Sequence, residues 1–219
     1  MAGSGATAAV TLGGASAGAT DLKKFNAKLS SLGLTELGEI PGGFSAVLES
    51  YSQTTPKLLV QFFYPNGWLV VKPSQNTNGE AGTVSAGDYG KGDSASLFVG
   101  DGAGAKDKSF YQKLIVAGVS QRGDNQYQNF EITKIKAAPT KDYALVDFEY
   151  ELLTGAGFVV ERKGVASVTT IGSTAPALLT VTTAARFKKL EPALRTIADS
   201  FRAYEQTASV AVDLSDAGN

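Results

Sequence analysis

The side chains that could do chemistry in this 219-residue chain are carboxylates, amines, guanidiniums, phenols and hydroxyls, because it contains neither cysteine nor histidine. Thiol nucleophiles, imidazole bases, Ser-His-Asp triads, zinc sites built from Cys and His, and haem or iron–sulfur ligation by those residues are all excluded. Three carboxylates at alternate positions, Asp147, Glu149 and Glu151, are what remains for acid–base work or for holding a cation. The same spacing on a strand also makes a solvated face, with Lys163 as a counter-charge.

Oxygen-bearing side chains gather around Asn76, Asn78, Glu80, Asp88 and Asp93. A hard cation such as calcium would suit them, although their spacing lacks the regularity of an EF-hand. Two glycine clusters, Gly82 to Gly92 and Gly100-Asp101-Gly102-Ala103-Gly104, invite comparison with phosphate-binding loops. Neither carries the Gly-Lys-Ser/Thr ending or opens a helix in the dinucleotide pattern, so both read as surface turns. Lys23, Lys24 and Lys28 form the best local basic patch, a candidate for docking on an acidic partner. The single tryptophan, Trp68, reads as a sheet anchor.

No global field recruits a partner. Twenty Lys and Arg against 21 Asp and Glu leave a formal charge of −1, so nucleic acid is not an expected partner. No run of eighteen apolar residues occurs, and direct membrane insertion is not expected. The amino-terminal stretch has neither signal-peptide nor transit-peptide character and reads as that of a mature form.

The elements that must position these groups follow from periodicity. Residues 1–42 read as a flexible extension that carries one short helix, capped by Asp21 and ended by Gly33, with Leu22, Phe25 and Leu29 on one face. Residues 43–204 read as one domain, and 205–219 as a polar tail in which Val210, Val212 and Leu214 alternate. Strands are expected over 44–51, 57–64, 67–72, 83–89, 94–99, 127–136, 143–153, 158–171 and 175–182. A helix is expected over 107–120, capped by Asp107 or Ser109 and closed by Gly123, and another around 191–204 with Pro192 in its first turn. In the strand 143–153, Val146, Phe148, Tyr150 and Leu152 face a core while the three carboxylates face away. A three-residue loop at Gly155-Ala156-Gly157 then sets Leu152 opposite Val160, Tyr150 opposite Arg162 and Glu149 opposite Lys163.

The stretches Tyr64-Pro-Asn-Gly-Trp-Leu-Val-Val-Lys72, Gly82-Thr-Val-Ser-Ala-Gly-Asp-Tyr89 and Ala156-Gly-Phe-Val-Val-Glu-Arg-Lys-Gly-Val-Ala-Ser167, in that order, resemble the PsbP-domain family, and the closing Phe187 to Phe201 segment is similar to that family's amphipathic final helix in kind and position. The resemblance covers roughly Gly43 to Tyr204 and rests on the order of the motifs. It implies an α+β fold, an α/β/α sandwich with a central, mostly antiparallel sheet. It further implies a non-enzymatic extrinsic protein of the chloroplast thylakoid lumen, peripheral on the membrane, that binds and stabilises or helps assemble a photosystem.

The oxygen-evolving side of photosystem II is the favoured place; a photosystem I subunit or assembly factor is the alternative. The implied partners are photosystem core membrane proteins and other extrinsic subunits. The expected binding residues are Lys23, Lys24 and Lys28, joined by Arg162 and Lys163, which with Gly67, Trp68, Asp88 and Gly164 carry the resemblance. No cofactor is expected beyond the calcium already named, and the absence of histidine argues against direct metal delivery. Two further expectations compete: a ligand-binding module with an apolar pocket between sheet and helices, and a carboxylate enzyme using Asp147 or Glu149.

Overall fold

The computed structural model describes residues 17–72, 83–120 and 126–206. The chain forms two compact units, Met1–Ile40 and Pro41–Asn219. In the first, helix α1 (Ala17–Ser31) begins four residues before Asp21, the expected cap. Leu22 and Phe25 are half-buried and Leu29 is buried, as the spacing predicts. Gly33, at φ +67°, ends the helix by donating to Ser30 O at 3.0 Å. The Asn26 side chain then ties the following segment back, donating to Leu37 O at 3.0 Å and accepting from Leu37 N at 2.8 Å.

The second unit is α+β, and every strand pairing among its described residues is antiparallel. Its elements in chain order are β1 (Phe44–Tyr51), β2 (Lys57–Pro65), β3 (Leu69–Val71), β4 (Ser85–Asp88), a 3-10 turn (Tyr89–Lys91), β5 (Asp93–Asp101), α2 (Lys108–Val119), β6 (Gln126–Ala137), β7 (Ala144–Leu153), β8 (Val159–Val168), β9 (Thr174–Thr183), α3 (Ala184–Ser200) and β10 (Arg202–Gln206). These strands make two sheets: a seven-stranded one in the order β3-β4-β5-β9-β8-β7-β6, and a three-stranded one in the order β1-β2-β10. Gly67, at φ +88°, makes the turn between the sheets, where Trp68 N bonds Pro65 O at 3.2 Å. Trp68 packs half-buried against the core.

Alternation along β7 divides the large sheet into two faces. Val146, Phe148 and Tyr150 join Tyr111, Leu114 and Ile115 of α2 in one apolar cluster. On the other face Leu97 and Leu178 meet Leu194, Ile197 and Phe201 from the α3 segment, with Val60 and Phe62 of β2. Central strand β9 is buried along almost its whole length. Its hydroxyls are satisfied inside the sheet, Thr180 Oγ1 by Val165 O at 2.7 Å and Thr182 Oγ1 by Asp93 Oδ1 at 2.6 Å.

The final helix departs from expectation. It runs over 184–200 instead of 191–204, because Phe187 and Leu190 extend the apolar stripe by two turns and pack against the same core. Pro192 therefore sits inside the helix and removes a backbone donor there. Tyr204, expected on the helix, lies on β10 opposite Leu59 of β2. The Tyr143 hydroxyl fixes this strand by accepting from Ala203 N at 2.9 Å. Gly123 and the alternating Val210, Val212 and Leu214 lie outside the described residues.

Candidate functional site

The carboxylate row of β7 is the natural starting point, and each of its members is engaged. Asp147 receives Nη1 and Nη2 of Arg195 on α3, each at 3.0 Å, and the same guanidinium holds Glu191 Oε1 through Nε at 2.9 Å and Nη2 at 2.7 Å. The hydrogen bond to Asp147, reinforced by Glu191, raises the Arg195 pKa well above its ordinary value. Glu149 pairs with Lys163 at 2.6 Å, in the predicted cross-strand register, and this bond raises the lysine pKa. Glu151 accepts from Gln128 Nε2 at 3.1 Å and from Asn129 Nδ2 at 2.8 Å. A bulge in β6, with Asn129 at φ +52°, brings the second amide into reach.

Two cations that the sequence did not single out organise the rest. Arg186, in the first turn of α3, donates Nε at 3.1 Å and Nη2 at 2.7 Å to the two oxygens of buried Asp93, and that bond raises its pKa. Asp88 pairs with Lys91 at 2.5 Å, a hydrogen bond that lowers the carboxyl pKa. These two acids of the expected calcium-binding group are thus neutralised by protein cations, while Asn76, Asn78 and Glu80 lie outside the described residues. Among the described residues, no group of three acidic side chains is placed to hold a metal ion.

Arg162 turns inward to bond Gly92 O at 2.6 Å through Nη2. Gly92 adopts φ +73°, and a Cβ there would stand 2.7 Å from Arg162 Nη1, so the glycine makes room for the guanidinium. Of the five expected binding residues, Arg162 and Lys163 thus lie in the second unit, Lys163 paired with Glu149 and Arg162 bonded through Nη2 while its buried Nε has no hydrogen-bond partner, whereas Lys23, Lys24 and Lys28 lie on α1 in the first. Lys23 and Lys24 are exposed and Lys28 is half-buried. Among the described residues, no carboxylate pairs with any of the three.

The second glycine cluster forms one wall of a cleft of about 550 Å³ against α2. Asp107 caps that helix as expected, its side chain accepting from Phe110 N at 2.9 Å. Phe98, Phe110 and Leu114 supply the apolar surface, and Asp101, Asp107 and Lys113 the charge. Gly100 sets the depth, since a Cβ there would lie 2.5 Å from Leu114 Cδ1.

No protein-family model matches this chain, and no curated protein sequence does. Among solved structures, the fold is similar to cyanobacterial PsbP (CyanoP) from Synechocystis sp. PCC 6803, at 24% identity and TM-score 0.43, over 78% of this chain and 100% of that one. It is also similar to LpqN, involved in cell envelope biogenesis of Mycobacterium tuberculosis, at 9% identity and TM-score 0.42, over 73% of this chain and 91% of that one.

Proposed function

We propose that this chain is a non-enzymatic accessory protein of the thylakoid lumen that binds the lumenal side of a photosystem by surface contact, with photosystem II favoured over photosystem I. The observation that carries the reading is the basic face of α1. Lys24 and Lys28 stand four residues apart on one helix, a spacing at which like charges repel by a few tenths of a kcal/mol, and no described carboxylate offsets them. A surface of that kind suits an acidic docking partner. The ion pairs of Asp147 and Glu149 support the non-enzymatic part, because the two carboxylates singled out for acid–base work are each held by a cation. The order of the three motif stretches supports the choice of partner.

The test is co-sedimentation with purified photosystem I and photosystem II cores, comparing the wild-type chain with K23E/K24E/K28E. Binding of the wild type to one core and its loss in the variant is the expected result. Retained binding in the variant removes the lysine face from the interface, and no binding of the wild type to either core removes the photosystem reading.

A second reading is favoured by the cleft between β5 and α2, whose apolar floor would take a small amphiphile beside Lys113. Binding of the fluorescent probe anilinonaphthalene sulfonate, abolished in A117W, would support it.

A further inference from the structure

The nine residues from Leu152 to Val160 carry no charge, and the β7–β8 hairpin turns in the middle of that run. Phe158 is 69% exposed and Val159 54%. Singly exposed apolar side chains are ordinary, but here two adjacent ones share an uncharged tip and together offer an apolar contact point. The backbone presenting it is already fixed: Thr154 N bonds Phe158 O at 2.8 Å, Gly157 N bonds Thr154 O at 2.8 Å, and Thr154 Oγ1 accepts from Phe158 N at 3.1 Å. Gly157, at φ +82°, takes the left-handed position that closes the loop. An ordered tip loses little conformational entropy on docking, which is how a small contact becomes a strong one.

The charges at the base of the tip point to the kind of surface that covers it. Glu161 stands directly opposite Glu151 across the hairpin, and Glu131 directly opposite Glu149 on the next strand pair. Like charges in facing positions are unfavourable. Lys163 bonds Glu149 and lies within electrostatic reach of Glu161 without pairing with it, and two amides answer Glu151. Among the described residues, neither exposed Glu161 nor exposed Glu131 has an ion-pair partner.

We propose that this hairpin end is a docking surface for a protein whose apolar crevice takes Phe158 and Val159 and whose rim carries lysine or arginine side chains that meet Glu161 and Glu131. An anionic lipid surface would repel the acidic base, and so would the same end of a second copy. The surface has the opposite charge to the α1 lysine face and therefore seeks different chemistry. The inference rests on the photosystem reading in taking a photosystem core as the crevice-bearing partner.

The test measures binding of the wild type, F158S/V159S, E161K and E161Q to purified photosystem cores, with circular dichroism of each variant as the check on folding. It is joined by flotation with phosphatidylcholine vesicles, with and without phosphatidylglycerol, and by sedimentation velocity of the chain alone. F158S/V159S should weaken core binding about thirtyfold, as loss of a buried aromatic anchor does. E161K should weaken it about tenfold and E161Q less, and the E161K complex should be less sensitive to added salt. If the wild type binds a core and the folded tip variants bind equally well, the docking surface is refuted while the photosystem reading stands. If the wild type binds neither core, that reading falls and the inference falls with it. Vesicle binding or self-association that depends on Phe158 would overturn the proposal by naming lipid or a second copy as the occupant.

Discussion

Arg195 grips Asp147 with two guanidinium nitrogens, Nη1 on Oδ1 and Nη2 on Oδ2, at equal distances of 3.0 Å. This fork fastens α3 to β7 and places a cation over the strand that carries most of the chain's candidate acid chemistry. Removing it in R195A leaves a largely buried carboxylate without its partner and should lower the unfolding free energy by about 2 kcal/mol in urea titration. R195K should recover only part of that loss, since an ammonium cannot reproduce a planar fork.

The glycines make opposite predictions at two positions 9 residues apart in the chain. At Gly164 a Cβ would meet the Thr180 carbonyl and lie 2.5 Å from Phe148 Cζ, so G164A should cost about 2 kcal/mol or more through overpacking. At Gly155 it would meet nothing within 4 Å, and G155A should change stability by less than about 0.5 kcal/mol. Parallel denaturant midpoints check both.

Alkaline pH should destabilise the fold. Burial raises the pKa of Tyr143, and of Tyr51, Tyr111 and Tyr204, above the ordinary value of 10.0. Each phenol holds its proton more tightly folded than unfolded, so its stabilising effect is complete below pH 10 and is lost as pH rises through the raised folded value. Thermal melts should therefore fall above about pH 10, and Y143F should show a shallower fall. At neutral pH the same variant should be weaker by about 1 kcal/mol, because the hydroxyl no longer receives Ala203 N.

Charge reversal on α1 should separate binding from folding. K23E/K24E/K28E should leave folding free energy within about 0.5 kcal/mol, as expected for largely exposed side chains. Association of the wild type with a photosystem core should weaken with salt, and the variant should lose it. Calorimetry of the isolated chain alongside the binding measurement distinguishes the two effects.

Much of this architecture was legible because local patterns settle local structure. The alternation of Val146, Phe148, Tyr150 and Leu152 against three acids favours a three-residue loop over a two-residue one that would set Glu161 opposite Tyr150, and the observed pairs Glu149 with Lys163 and Tyr150 with Arg162 follow from it. Asp107 announced α2 in the same way. The end of α3 was not legible: Phe201 and Tyr204 continue the helical spacing, yet β2 offers Arg202 and its successors an unpaired edge, and a contact with residues so distant leaves no trace in local periodicity.

The site residues divide along the same line. The roles of Arg186 and Arg195 depend on partners 93 and 48 positions away, which spacing cannot reveal. The exposed Phe158 did leave a signal, the uncharged run on both sides of a three-residue loop, where an ordinary turn would carry polar residues.

The three-stranded sheet sets the order in which the chain can finish folding. A hydrogen bond from Ser50 to Gln206 spans 156 positions, and β2 waits beside β1 with one edge bare until β10 has emerged. During synthesis from the amino end, that edge is exposed to other unfinished chains for as long as the seven-stranded sheet takes to appear. Closure by β10 acts as a late latch, so a chaperone working on this protein would have β2 to shield, and damage to β10 would turn a completed fold back into an aggregation-prone one.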